Sequence, residues 1–305
     1  MTIGSLLGLV ATGCSSIILL ENPALVLNYA SHAYGVRVDP DLRYGPGERH
    51  VLDVYRSRMS GGSRPVAVFF HGGGFRSGAK EEYRFVGVAL ASVGFVVVVP
   101  DYRLYPRAAF PEFLQDAADA VRWTKDNARK FGGDPGSVFL LGHSSGAYLA
   151  AMLALDPRWL RRVLLSPRDD IAGWIGLSGP YGPRIDGGPP GLIEHGNGML
   201  PVDYVGAYGP PAFLATGLAD RIVNPSNTIA LAEGLWRARG RAVLSLYPNV
   251  GHEEIIGAVA PMFASLAPVL SDVVEFTRGV SLRAGSETQV ESRGANADQR
   301  APIDY

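Results

Sequence analysis

Short apolar runs alternate with segments of helical periodicity through the middle of the chain, and this alternation constrains the fold more than any other feature. Strands are predicted at Pro65–Phe70, Phe95–Val99, Val138–Leu141, Ile171–Leu177, Phe213–Thr216 and Ala242–Tyr247. Helices are predicted at Tyr83–Ser92, Pro111–Lys130, Ser145–Leu155, Ser226–Arg239 and Ile255–Arg278. Strands that are apolar on both faces are typical of a parallel sheet covered by helices. The sequence therefore predicts an α/β fold with a doubly wound, mostly parallel sheet.

Two further features accompany this central pattern. The residues from Leu42 to Tyr55 alternate in polarity around a Tyr-Gly-Pro-Gly turn, which predicts a hairpin that adds antiparallel edge strands. The segments 156–170 and 181–211 are rich in proline and glycine. We interpret them as small insertions beside the sheet that act as a lid or as pocket walls.

The chain of 305 residues is long enough for one large α/β domain, which we place at residues 41–279. Residues 15–40 are a linker or an N-terminal helix in this division. Residues 280–305 contain few apolar side chains and no periodicity, which predicts a disordered tail. The formal net charge of −1 gives no general attraction to nucleic acid, so no nucleic-acid partner is expected.

The first twenty residues are almost free of charge, and Leu9–Ser16 places small side chains before Cys14, the single cysteine of the chain. This run resembles the lipobox of bacterial lipoproteins, in which the cysteine is acylated. Residues 1–14 are accordingly a possible lipoprotein signal, and membrane attachment through Cys14 in the bacterial cell envelope is expected. No Lys or Arg precedes the apolar run, so two other interpretations of the segment stay open: a buried N-terminal helix or a plain membrane anchor. If the segment is not a signal, a cytoplasmic location is expected.

A G-x-S-x-G motif spans Gly142–Gly146, between a predicted apolar strand and a predicted helix. This strand–turn–helix setting is the one that a nucleophile elbow requires, because the sharp turn lifts the serine above the sheet. Ser144 is therefore the candidate nucleophile. A second motif, His-Gly-Gly-Gly at residues 71–74, also follows a predicted strand. Its glycines leave backbone N–H groups free to face a developing oxyanion.

With these two motifs, the chain resembles the α/β-hydrolases of the HGGG-bearing esterase and lipase group, near the hormone-sensitive-lipase-like and kynurenine-formamidase-like branches. The resemblance covers about residues 40–278. Four further segments agree with it: Asp101–Leu104, Phe110–Pro111, Gly133–Pro135 and Leu177–Tyr181. It implies an oxyanion hole made by the backbone N–H groups of Gly73, Gly74 and Ser145. Together with the lipobox, the chain resembles bacterial lipoprotein esterases.

A serine hydroxyl needs a base, and the base needs an orienting carboxylate. In this fold the order along the chain is Ser, then Asp or Glu, then His. His252 follows the last predicted strand and is the expected base; His195 lies in the Pro/Gly-rich insertion and is the alternative. Asp220 follows the preceding strand and is the expected acid, with Asp203 as the alternative. His71 and His143 are expected to hold their loops by hydrogen bonds.

These residues predict a serine carboxylesterase that needs no cofactor or metal, and the resemblance implies a small-molecule ester with a short to medium acyl chain as its substrate. An arylformamide, a feruloyl ester or a polyester stays open as the substrate, as does a non-catalytic binding module. Ser77 and Lys80 match the S-x-x-K pattern of β-lactamase-like esterases, but no S-D-N or K-T-G completes it.

Overall fold

One eight-stranded sheet forms the centre of the protein. The computed structural model describes residues 28, 35–58, 62–182, 199–206 and 209–297. The strands are β1 (Val36–Arg43), β2 (Val51–Ser57), β3 (Arg64–Phe70), β4 (Val96–Pro100), β5 (Gly133–His143), β6 (Gly173–Leu177), β7 (Ala212–Gly217) and β8 (Ala242–Tyr247). Their order across the sheet is β1-β2-β4-β3-β5-β6-β7-β8.

The sheet is mostly parallel, as predicted. Only β1 with β2 and β2 with β4 pair antiparallel; all other neighbours are parallel. The predicted hairpin is confirmed, although β1 begins at Val36, before the domain start predicted at residue 41. Because the strands from β3 to β8 run in the same direction, the loops that follow them meet at one edge of the sheet.

Helices cover both faces of the sheet. The α-helices are α1 (Arg84–Ser92), α2 (Glu112–Asn127), α3 (Ser145–Leu155), α4 (Pro157–Arg161), α5 (Pro167–Asp170), α6 (Ser226–Arg237), α7 (His252–Gly257) and α8 (Val269–Ala297). Short 3-10 helices lie at Lys80–Tyr83, Ala128–Phe131, Pro201–Tyr204 and Pro261–Phe263. The segment 156–170, predicted as an insertion, contains α4 and α5, whereas most of 181–198 lies outside the described residues.

Alternating side chains of each strand supply two hydrophobic cores. In β3, Val66 and Val68 contribute to the core beneath α2 and α3, whereas Ala67 and Phe69 contribute to the core beneath α1 and α8. Every residue of α3 is buried, which explains why its sequence is apolar all around rather than amphipathic. The nucleophile turn is therefore built on the most deeply buried helix among those described.

The C-terminal region differs from the prediction. The single helix predicted at Ile255–Arg278 is two helices, α7 and α8, separated by a segment that contains Pro261 and Pro268. Proline lacks the N–H that a helix interior needs, so it ends such a segment. The helical backbone of α8 then continues to Ala297, whereas a disordered tail was predicted from residue 280. Alanine, glutamate, glutamine and arginine in this stretch favour a helix even without an apolar face.

Among the helices that the structure describes, none combines the length and the hydropathy needed to cross a membrane. Cys14 and the predicted signal lie outside the described residues, as does the alternative base His195.

Candidate active site

Ser144 occupies the turn between β5 and α3. Its backbone has φ 55° and ψ −123°, a conformation that a residue with a side chain rarely adopts. The Ser144 N–H donates to the carbonyl oxygen of Leu177 at 2.9 Å, which ties the turn to the end of β6. A strained backbone at a sharp strand-to-helix turn is what the predicted nucleophile elbow requires.

Two glycines allow this turn to form. A Cβ on Gly142 would lie 2.1 Å from the carbonyl oxygen of Gly146, inside the same turn. A Cβ on Gly146 would lie 2.0 Å from the carbonyl oxygen of Phe70, at the end of β3. Both neighbours are backbone atoms that cannot move aside, so the first residues of α3 approach the sheet only because these positions are glycine.

The predicted acid and base meet in the structure. Asp220 follows β7, His252 begins α7, and His252 Nδ1 lies 2.8 Å from Asp220 Oδ2. Both residues are buried. The other carboxylate oxygen, Oδ1, accepts the backbone N–H groups of Ile222 and Val223 at 2.9 Å each.

These contacts define the protonation of the pair. Burial by itself would raise the pKa of the Asp220 carboxyl, but the hydrogen bonds from His252 and from the two backbone N–H groups lower it below its ordinary value. Asp220 is therefore an anion at neutral pH and holds the proton of His252 on Nδ1. The Nε2 lone pair is then left free to accept a proton.

His143 lies directly against His252, the predicted base. Its Nε2 donates to the carbonyl oxygen of His252 at 2.9 Å, and the two ring centroids are 4.7 Å apart. Burial and the neighbouring His252 lower the pKa of His143 to about 3, so its ring is neutral at pH 7. The sequence predicted only a loop contact for His143; nothing in its pattern indicates that the partner is the base, 109 residues further along the chain.

The glycine loop after β3 lies beside the elbow. A Cβ on Gly72 would lie 3.2 Å from Ser144 Cβ. Gly73 and Gly74 have φ values of 121° and 60°, and within the described part of the chain their N–H groups donate to no acceptor. Ser145 is the first residue of α3, so its N–H has no partner one turn earlier in that helix. The structure thus leaves donors available on both segments.

His71 anchors that loop, as expected. Its Nδ1 donates to the carbonyl oxygen of Gly72 at 2.8 Å, and its ring stacks on Tyr102 with centroids 4.3 Å apart. The side chain is completely buried. The buried His71 ring therefore holds the glycine loop in place.

Lys80 has a structural environment that excludes the S-x-x-K chemistry. Its Nζ lies 2.8 Å from both Asp41 Oδ1 and Asp53 Oδ1, and 2.5 Å from Glu81 Oε1. Burial would lower the pKa of the ammonium group, but these three hydrogen bonds raise it well above its ordinary value. Lys80 therefore keeps its proton and cannot act as a base for Ser77.

The alternative acid, Asp203, is the exposed residue of the 3-10 helix Pro201–Tyr204. The carboxylate that lies 2.8 Å from His252 Nδ1 is that of Asp220. Among the described residues, no group of three or more His, Cys, Asp or Glu side chains is placed to hold a metal ion.

The sheet order, the strained serine turn after β5 and the hydrogen-bonded Asp–His pair after β7 and β8 define the class of fold: the protein has the α/β-hydrolase fold. Within that class, the family model BD-FAE matches residues 52–159. This matched region contains the glycine loop and the elbow.

Several curated proteins similar to the chain are named esterases. The isoprenylcysteine alpha-carbonyl methylesterase ICME of Arabidopsis thaliana is 31% identical over 176 residues, which are 57% of this chain and 41% of the relative. The esterase LipQ of Mycobacterium tuberculosis is 27% identical over 284 residues, which are 81% of this chain and 64% of the relative. The chain thus spans about 41% to 64% of the length of these relatives.

Solved structures show the same fold. Esterase B of Lactobacillus rhamnosis superimposes with a TM-score of 0.72 at 18% identity, covering 91% of this chain and 97% of the other. A carbohydrate esterase from gut microbiota superimposes with a TM-score of 0.69 at 18% identity, covering 81% and 96%. At 18% sequence identity, the structural similarity shows a shared fold.

Proposed function

We propose that the protein is a serine carboxylesterase in which Ser144 is the nucleophile, His252 the base and Asp220 the orienting acid. The observation that carries this proposal is the 2.8 Å contact between His252 Nδ1 and Asp220 Oδ2, on loops at the sheet edge where Ser144 occupies the elbow. A buried carboxylate that fixes the tautomer of a histidine near a strained serine is the arrangement that activates a hydroxyl for acyl transfer.

In the first step, Ser144 Oγ attacks the ester carbonyl while its proton moves to Nε2 of His252. Asp220 stabilises the resulting imidazolium. The backbone N–H groups of Gly73, Gly74 and Ser145 stabilise the oxyanion of the tetrahedral intermediate, a contribution worth about 10²–10³ in rate for each donor. His252 then donates its proton to the leaving alcohol, and an acyl-enzyme remains on Ser144.

In the second step, water attacks the acyl-enzyme and His252 accepts its proton. The second tetrahedral intermediate collapses, and the proton returns from His252 to Ser144 Oγ as the acid leaves. No redox or metal step is needed for this sequence, because each proton moves between Ser144, His252, the alcohol and water.

The substrate class proposed is a carboxylic ester with a short to medium acyl chain. The similar protein ICME of Arabidopsis thaliana is named a methylesterase, which supports an ester with a small alcohol. The structural neighbour from Lactobacillus rhamnosis is described with C4-C4 and C6-C4 inhibitors bound, which supports short acyl chains.

The test is a panel of p-nitrophenyl esters from acetate to palmitate, with wild type and Ser144→Ala measured side by side. We expect the wild type to prefer acetate or butyrate, and Ser144→Ala to lose about 10⁴-fold or more in kcat. Retained activity in the variant, or no activity of a folded wild type on any ester, would reject the proposal. A folded wild type that cleaves only an arylformamide would move the proposal to the amide alternative.

We further propose that Cys14 is acylated and attaches the enzyme to the bacterial cell envelope. The support is the run of small residues that precedes the single cysteine of the chain. Expression of wild type and Cys14→Ser in a bacterial host with radiolabelled palmitate tests this. Label and membrane partitioning should both disappear in the variant; unchanged partitioning would remove the proposal.

A further inference from the structure

Three segments of the active site meet around the ring of His143. The residue lies at the end of β5, directly before Ser144. On one side, its Nε2 lies 2.9 Å from the carbonyl oxygen of His252. On the other side, its Nδ1 lies 3.0 Å from the position that a Cβ on Gly72 would occupy. With 1% exposure, the ring fills the space between the glycine loop and the start of α7.

The tautomer of His143 follows from its partner. A carbonyl oxygen can only accept, so Nε2 carries the proton and Nδ1 carries the lone pair. Nδ1 has no hydrogen-bond partner among the residues that the structure describes. Burial keeps the ring neutral, and an imidazolium at the adjacent His252 opposes a second positive charge. The donor therefore persists while His252 gains and loses its proton.

We propose that His143 is a positioning residue for the base: by holding the main chain of His252, it sets the direction from which the imidazole reaches Ser144. This inference rests on the proposed function and deepens it. Asp220 restrains the His252 ring through its side chain, whereas His143 restrains the same residue through its backbone. Because His143 is bonded to Ser144 along the chain, the nucleophile and the base are held by one rigid strand end.

A matched pair of variants separates this role from simple packing. His143→Gln keeps an N–H that reaches the position of Nε2, and His143→Met has a similar length and volume with no donor. We expect Met to lower kcat on the best p-nitrophenyl ester about 10²-fold with little change in KM, because a displacement of about 1 Å at a reacting group costs this much. Gln should recover kcat to within about tenfold of wild type.

A second readout is independent of turnover. In protein labelled with ¹⁵N-histidine, the His252 Nδ1 proton shared with Asp220 should give a low-field NMR resonance in the wild type and in the Gln variant. In the Met variant, the resonance should shift or broaden, because the ring has lost its backbone restraint. The melting temperatures of the two variants should agree, since their volumes are matched.

The two measurements decide the proposal. Equal losses of kcat in Gln and Met, or losses that follow the melting temperature, would overturn it, as would an unchanged His252 resonance in Met. If the wild type hydrolyses no ester at all, the proposed function fails. The resonance comparison then decides the positioning role by itself.

Discussion

The proposed nucleophile, Ser144, and the proposed base, His252, are held in place by different physical means. Around Ser144, backbone atoms approach so closely that only glycine fits at residues 142 and 146. Around His252, the restraints are two hydrogen bonds: the His252 ring donates to the Asp220 carboxylate, and the His143 ring donates to the His252 carbonyl oxygen. The comparison shows that sterics fix one half of the site and electrostatics the other. Substitution and pH should therefore affect the two halves differently.

The largest effect is expected from breaking the electrostatic half. In Asp220→Asn, the Oδ1 atom of the amide can still accept the N–H groups of Ile222 and Val223, so the loop should remain folded. Its NH₂ group would then face His252 and force the proton onto Nε2. The ring can no longer accept the Ser144 proton, and kcat should fall about 10⁴-fold.

Steady-state kinetics on a p-nitrophenyl ester measure this loss. The matched control is Asp203→Asn, which changes the exposed alternative acid and should leave kcat unchanged. A loss of activity in the control alone would exchange the roles of the two aspartates.

A smaller effect is expected from breaking the steric half. Gly146→Ala places a methyl group 2.0 Å from the Phe70 carbonyl oxygen, so α3 must move away from β3. Overpacking of this kind costs about 3 kcal/mol of unfolding free energy. Urea unfolding followed by circular dichroism measures it, and the loss should be the same at pH 7.5 and at pH 5. A loss that grows in acid would contradict a purely steric origin.

The pH dependence sharpens the same comparison. The pKa of His143 is lowered from its ordinary 6.5 to about 3 in the folded protein, chiefly by burial. The unfolded chain therefore takes up a proton near pH 6.5 that the folded chain refuses. The contribution of His143 to the unfolding free energy is fully present above pH 6.5 and is lost as the pH falls toward 3. Between pH 7.5 and pH 5 this loss is about 2 kcal/mol. The lowered pKa of Asp220 adds a further loss below its ordinary 3.8.

Urea unfolding at pH 7.5, 6 and 5 measures this slope. The control is His143→Gln, whose side chain does not titrate, and the difference in slope between wild type and variant isolates the contribution of His143. Parallel stability curves for the two proteins would show that residue 143 does not supply the pH dependence.

The smallest effect is expected at Gly74. Its φ of 60° disfavours a side chain, but no atom lies within 4 Å of the position that a Cβ would take. Gly74→Ala should therefore cost only about 1 kcal/mol of unfolding free energy, from backbone strain alone. Comparison with Gly146→Ala in the same urea titration separates a glycine needed for its φ from one needed for space. Equal losses at both positions would contradict this distinction.

Much of the fold was predictable because its signals are local. The apolar runs located the six central strands, and β8 and α3 have the predicted bounds. The residues Ser144, Asp220 and His252 were selected because each follows a strand, and the structure brings the last two into contact. The prediction of a single helix at Ile255–Arg278 was wrong, because the prolines at 261 and 268 interrupt it. The periodicity of apolar residues does not take into account that proline lacks a backbone N–H.

The sequence by itself determined the class of fold, the serine turn and the candidate acid and base, since these depend on residue types a few positions apart. The tertiary structure decided which groups lie against them. Lys80 is bound to three carboxylates, and the histidine of the G-x-S-x-G motif donates a hydrogen bond to the backbone of His252, 109 residues away. The physical reason is that burial and hydrogen-bond geometry depend on which loops lie together at one edge of the sheet. The local periodicity of the sequence does not indicate which loops these are.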